Sequence, residues 1–260
     1  MLSLLRQRRW VGLTFLVVAL VLLCYRLAHW QLDRLHGREA ANASITAAEK
    51  LAPIPPEQLL AVGRQTSSAH WRQLTVTGTW DADHQLLVRN RPQDGSNGFW
   101  VLTPLTSAQG TALLVVRGWV PYPMQADQNP DVPAPQPGQV TGVVRVQGSE
   151  PAKPTQLPTG QVLRVNVPSI AKDLPYPVYG DYADLVSEQP QPASAPTPLP
   201  APTLDNGPHL SYAMQWYAFG VVAIVGWFVL LRRDAQAAAQ DRAAAAEAAA
   251  ADEHTVPTPG

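Results

Sequence analysis

The residues best suited to chemistry stand at the head of an apolar stretch, N-G-P-H-L-S-Y-A-M-Q-W-Y-A-F (206–219). His209, Tyr212, Trp216 and Phe219 follow at i, i+3, i+7 and i+10, a spacing that shares one helix face. A neutral imidazole is a ligand for haem iron, and neighbouring aromatic rings can flank a flat porphyrin. The same spacing also describes interfacial aromatics around a solvated histidine, and spacing alone favours that second reading. His29 closes an earlier apolar stretch and is the candidate for a second axial imidazole. Pro208 suits the first helical position. Gln215, polar within an apolar run, is expected to face a partner helix.

Other catalytic signatures are missing. The chain has no G-x-S-x-G, no H-E-x-x-H, no phosphate-binding loop and no dinucleotide glycine fingerprint, so it is not expected to be an enzyme. Its one cysteine, Cys24, excludes an internal disulfide, a C-x-x-C redox pair and a thiolate zinc site. Asp81, Asp83 and Asp94 fall in turn-like sequence, where turn chemistry accounts for them, and Gly95 and Gly98 read as hairpin glycines.

The elements that must position His209 follow from composition. Of 260 residues, 46% are hydrophobic and only 15% charged, against the usual ~25% charged. Proline accounts for 26 residues, twice the average share of ~5%. A net charge of −1 leaves no basic excess for a phosphate backbone, so nucleic acid is not an expected partner. The apolar residues concentrate in two blocks, read as transmembrane helices over 10–28 and 209–231. The first is read as a retained anchor. Arg26 two positions before Ala28 is a poor cleavage context, and Leu23 before Cys24 is wrong for a lipoprotein signal. Cys24 then serves as a small buried apolar residue. Arg6, Arg8 and Arg9 precede the first block, and Arg232 and Arg233 follow the second. Under the positive-inside rule both termini (1–9 and 232–260) are cytoplasmic and the central region lies outside the cell membrane, with lipid as a partner of the spans.

Residues 29–70 read as a helical extension of the first span, ended by Pro53, Pro55 and Pro56, and then a connector. From Trp71 the pattern has period two, with strands at 72–80, 84–91, 98–105, 112–121, 139–148 and 161–167. A short helix is expected over 169–174 with Ser169 as its N-cap. The region 71–186 is thus an external β-rich domain, an antiparallel sheet or barrel. Residues 187–208, rich in proline, are expected to form an extended tether without packed contacts. The alanine-rich tail reads as a frayed helix ending in disordered T-V-P-T-P-G.

Five stretches together carry a resemblance: W-Q-L-D-R-L (30–35), L-L-V-R-N-R-P-Q-D-G-S-N-G-F-W-V-L-T-P-L (86–105), L-V-V-R-G-W-V-P (114–121), V-T-G-V-V-R-V (140–146) and H-L-S-Y-A-M-Q-W (209–216). In order and spacing they resemble the surfeit locus protein 1 family of cytochrome c oxidase assembly factors. The resemblance implies two membrane helices around an external domain. It implies a binding protein that handles haem a and aids its insertion into the oxidase catalytic subunit. Partners would be cytochrome c oxidase subunits and enzymes of haem a synthesis. His209 matches the family histidine implicated in haem ligation, and Tyr212 and Trp216 match its aromatic neighbours. Ala28 and Gly207-Pro208 depart from the family's usual glycine and asparagines at those places. The alternative is a membrane-anchored accessory subunit that docks an oxidase complex without touching haem.

Overall fold

Alternating residues of 73–80 and 139–147 bury one face and expose the other, which makes them strands of a curved sheet. A computed structural model describes residues 7–123, 130–153 and 155–253, with side chains described through Glu247. Arg6 and the terminal T-V-P-T-P-G, both used above, lie outside the described residues. The strands are β1 (Gln73–Trp80), β2 (Leu86–Gln93), β3 (Ser96–Thr106), β4 (Ala112–Pro121), β5 (Gln139–Gln147), β6 (Gln161–Val162) and β7 (Val178–Gln189). The helices are α1 (Arg8–Glu49), α2 (Val167–Ile170) and α3 (His209–Glu253). The chain divides into two compact units, one holding residues 43–203 and the other the helical sequence on either side of it.

In the first unit the sheet order is β1-β5-β7-β4-β3-β2-β6, and β1 also pairs with β3. That extra pairing, Thr79 with Thr106 and Trp80 with Leu105, closes β1, β5, β7, β4 and β3 into a five-stranded barrel. Four of the five junctions are antiparallel and the β4–β7 junction is parallel. This Greek-key ring belongs to the same class of architecture as the OB-fold barrel. Leu74, Val76, Leu105, Leu113, Val115, Val140, Val144 and Val146 fill the interior, each under 4% exposed. Burying each such side chain contributes about 1.5–3 kcal/mol. A second core lies on the other face of β4 and β7, where Leu114, Val116, Val178 and Tyr182 meet Val165, Val167 and Ile170.

Of the expected antiparallel sheet or barrel, the structure has the barrel, with one parallel junction and four local differences. The longest strand, β7, has no counterpart among the expected six. Both its faces are covered, by the barrel interior and by the second core, so it lacks polar alternation. The expected strand 161–167 shrinks to two paired residues, because Val165 and Val167 turn into the second core. The N-cap of α2 is Asn166, not Ser169: its side chain accepts from Ser169 N–H at 3.0 Å. Gly95 sits in the β2–β3 hairpin turn with φ 77°, but Gly98 does not; a Cβ there would lie 2.2 Å from Val120 O and 2.5 Å from the Trp119 ring. Gly98 is therefore a close-approach glycine.

The proline-rich segment 187–208 is not a free tether. Its first residues belong to β7, and Thr197 exchanges both backbone hydrogen bonds with Trp119 at 2.7 and 2.9 Å. Pro196 is buried and Leu199 packs on the second core. Proline removes backbone donors but not carbonyl acceptors or apolar surface, so a proline-rich stretch still packs against an aromatic platform.

The second unit holds α1 up to Asn42, and α1 as a whole is a continuous helix of 42 residues, about 63 Å long. Gly37 does not break it. α1 and α3 are both long and apolar enough to cross a membrane, by length and composition. They pack antiparallel along one seam. Trp227 donates its indole N–H to Thr14 Oγ1 at 3.2 Å and meets Trp10 edge-on at 6.4 Å. Cys24, Ala28, Ala213 and Gly220 are buried in the middle of the seam. Cys24 faces Gly220, as a small apolar residue would. These small side chains let the two backbones approach closely. Buried positions Trp10, Cys24 and Ala28, with Thr14 and Gln31, are four, ten, four and three residues apart in order, which keeps them on the one seam of a coiled-coil spacing.

Candidate functional site

The seam ends at His209. Pro208 occupies the N-cap position, since its carbonyl accepts the first helical hydrogen bond from Tyr212 N–H at 3.1 Å. His209 is the first residue of α3 and is half-buried. Its Nδ1 lies 2.8 Å from Oε1 of Gln31 on α1. An amide oxygen only accepts, so the contact is met by the tautomer with its proton on Nδ1, in which a neutral ring has its lone pair on Nε2. Among the described residues Nε2 has no hydrogen-bond partner. This is the arrangement in which a histidine is held as a metal ligand, with one ring nitrogen oriented by a neighbouring acceptor and the other available. Gln31 belongs to the W-Q-L-D-R-L stretch noted in the sequence, but nothing in that stretch pointed to His209, 178 positions away.

The aromatic residues divide. Trp216 lies two helical turns below His209 at nearly the same angle, is half-buried, and meets Phe219 edge-on at 5.9 Å. Tyr212 and Phe219 are about half exposed, on a strip rotated roughly 60–80° from His209. His209 and Trp216 therefore form the inner edge of an aromatic strip, and Tyr212 and Phe219 its outer edge. An imidazole with aromatic rings along the same strip is a residue set that could hold a flat iron porphyrin. Gln215 is exposed and does not enter the α1 seam.

His29 does not join this site. It is two residues from Gln31, roughly 200° around α1, so it faces away from His209. It is exposed and packs on Tyr25, with ring centroids 4.4 Å apart. Among the described residues no group of three or more His, Cys, Asp or Glu side chains could hold a metal ion.

In the barrel unit the acidic residues divide between turn chemistry and burial. Asp81 Oδ1 accepts from the backbone of Asp83 and His84, and Oδ2 accepts from Tyr176 Oη at 2.6 Å. Asp94 has φ 48° and sits in the hairpin turn. Asp184 is different: burial pushes its carboxyl up to about 6, against the Gln147 hydrogen bond and the charges of Arg145 and Arg91. A carboxyl raised above its unfolded value of ~3.9 makes the folded state bind its proton more tightly. Stability is then fully present below about pH 4 and falls as pH rises through 6, by up to about 3 kcal/mol. Asp184→Asn is expected to remove this loss. Urea titrations of the solubilised chain from pH 4 to 8 should show the variant gaining on the wild type until about pH 6.5. Parallel curves across that range would reject the assignment.

The sequence profile of the SURF1 family matches residues 18–221. Uncharacterized SURF1-like proteins of Mycobacterium bovis and Mycobacterium tuberculosis are 34% identical to this chain over 226 residues, covering 84% of it and 81% of each relative. A SURF1-like protein of Monosiga brevicollis is 26% identical over 249 residues, covering 87% of this chain and 90% of the relative. The match takes in the barrel, the part of each apolar helix nearest to it in sequence, and the Gln31–His209 pair. The chain belongs to the SURF1 family.

Proposed function

We propose that this protein is a membrane-anchored assembly factor for haem-copper cytochrome c oxidase, not an enzyme, and that it binds haem a through His209. Family membership supports the link to oxidase assembly. The observation that supports the haem reading is the 2.8 Å contact between His209 Nδ1 and Gln31 Oε1, which favours the tautomer whose Nε2 would be the iron ligand.

In this reading α1 and α3 span the cell membrane and hold both termini in the cytoplasm, supported by their length, composition and flanking arginines. Haem a, when bound, would supply an iron that His209 could ligate. The chain's own residues do the rest. Gln31 fixes the His209 tautomer and ring plane, Trp216 and Tyr212 offer ring faces to the macrocycle, and the half-exposed outer strip leaves a route for transfer to an oxidase subunit.

The test is the optical spectrum of the full chain purified in detergent from cells that make haem a. Wild type is expected to carry haem, and His209→Ala to lose it. Tyr212→Ala and Trp216→Ala should lower occupancy without abolishing the histidine-ligated spectrum. Full occupancy with an unchanged spectrum in His209→Ala would overturn ligation by this residue and leave the accessory-subunit reading.

A further inference from the structure

A second site lies on the outer surface of the barrel unit. Cross-strand pairing sets Arg145 opposite Asp184 and Gln147 opposite Tyr182 on β5 and β7. These four residues, together with Trp71, Trp100 and chain segment 199–203, line a cavity of about 380 Å³. Six of the thirteen lining residues are aromatic or prolyl, with a few polar groups among the rest, as in binding sites generally. Gln147 donates to Asp184 Oδ2 at 2.8 Å, whereas Asp184 Oδ1 and Arg145 Nε have no partner among the described residues. Trp71 has φ 67°, a left-handed conformation that is a genuine outlier for a bulky side chain. Such strain persists only where the surroundings enforce it, and it concentrates at functional positions.

The surface beside this cavity already holds proline-rich chain. Thr197 pairs with Trp119, and Gln93 donates to Pro198 O at 3.1 Å. Gly118 admits the segment, since a Cβ there would lie 2.6 Å from Thr197 O. The protein thus binds its own A-P-T-P-L segment (195–199) with an aromatic platform and a glutamine donor to a prolyl carbonyl. Residues 200–203 also line the cavity, and Arg145 and Asp184, its charged floor, keep an Nε and an Oδ1 without a partner among the described residues.

We propose that this cavity docks an extended, proline-containing peptide segment of a partner protein. The prolyl ring packs on Trp71 and Trp100, and the adjoining peptide unit meets the floor, its N–H to Asp184 and its C=O to Arg145. Polyproline conformation is preformed and loses little entropy on docking to aromatic grooves. A cationic ligand is disfavoured because the Arg91 guanidinium already stacks 4.0 Å from the Trp100 ring centroid and Arg145 stands on the floor. An anion meets the Asp184 carboxylate. A purely apolar ligand leaves donor and acceptor unpaired under it, which is costly.

The test uses the full chain in detergent, with a fluorescently labelled alternating alanine–proline decamer as probe, which keeps an N–H next to each prolyl ring, and a glycine–serine decamer as control, read by anisotropy. Saturable binding of the alanine–proline decamer alone is expected. Arg145→Leu and Trp71→Gly should each weaken it at least tenfold; glycine suits the left-handed backbone at 71, so that variant retains its fold. No saturable binding, or binding indifferent to both variants, overturns the proposal. Concentration-dependent self-association that Trp71→Gly abolishes would identify a second copy of this chain as the occupant, and would overturn the assignment to a different partner.

Discussion

Gln31→Leu is expected to weaken haem binding by about 10- to 100-fold, the range typical of losing the hydrogen bond that orients a metal-ligating histidine. The substitution keeps side-chain bulk in the α1–α3 seam and removes only the acceptor for His209 Nδ1–H. Without it the imidazole is free to rotate and to place its proton on Nε2, the nitrogen that iron requires unprotonated. The same spectral type at lower occupancy should result, because His209 itself remains. Gln31→Glu keeps an acceptor and should restore affinity, a rescue that a merely structural role would not produce. Haem titration into the purified variants measures both. Affinity within twofold of wild type for Gln31→Leu would show that the hydrogen bond does not position the ligand.

Arg117→Met is expected to destabilise the barrel by about 3–5 kcal/mol, the range for breaking a buried charged network on one side. Arg117 is 4% exposed. Its Nη1 donates to Gln85 Oε1 at 3.2 Å and to Pro133 O at 3.1 Å, and Nη2 donates to Ala134 O at 3.1 Å. It also faces buried Glu188, whose carboxylate accepts from Trp80 Nε1 at 3.0 Å. Removing the guanidinium leaves these carbonyls and that carboxylate without a cation. A domain of this kind has about 5–15 kcal/mol in total, so the loss is a large share of its stability. Arg117→Met combined with Glu188→Gln should recover part of it, since the pair shares one network. Denaturant unfolding of wild type, Arg117→Met, Glu188→Gln and the double variant decides the matter, and a loss under about 1 kcal/mol for Arg117→Met would show that the network contributes little.

Arg117 also shows why the R-G-W-V-P stretch stands out in the sequence. Arg117 fastens the loop at Pro133 and Ala134, Gly118 admits the segment at Pro196 and Thr197, and Trp119 pairs with that segment while its indole N–H donates to Arg91 O at 2.7 Å. Three adjacent residues thereby pin two proline-rich segments to one strand. The motif is legible as letters, but the contacts it makes are all remote in sequence.

The sequence by itself determined what local physics controls. Two runs of apolar residues specify two long helices, because a helix satisfies its own backbone within the run. Alternation at 73–80 and 139–147 specifies strands with one buried face. The position of His209 at the start of its helix, and its aromatic followers, come from the same local rules. Tertiary structure alone decided the rest. β7 is hidden in the sequence because covering both faces erases alternation. Barrel closure depends on the long-range pairing of Thr79 and Trp80 with Thr106 and Leu105. The proline-rich segment packs instead of spanning free, because the platform it meets is built by β4. Gln31 becomes the partner of His209, and His29 does not, because the antiparallel seam selects one face of α1, and two residues along a helix is the distance that turns a side chain to the opposite face.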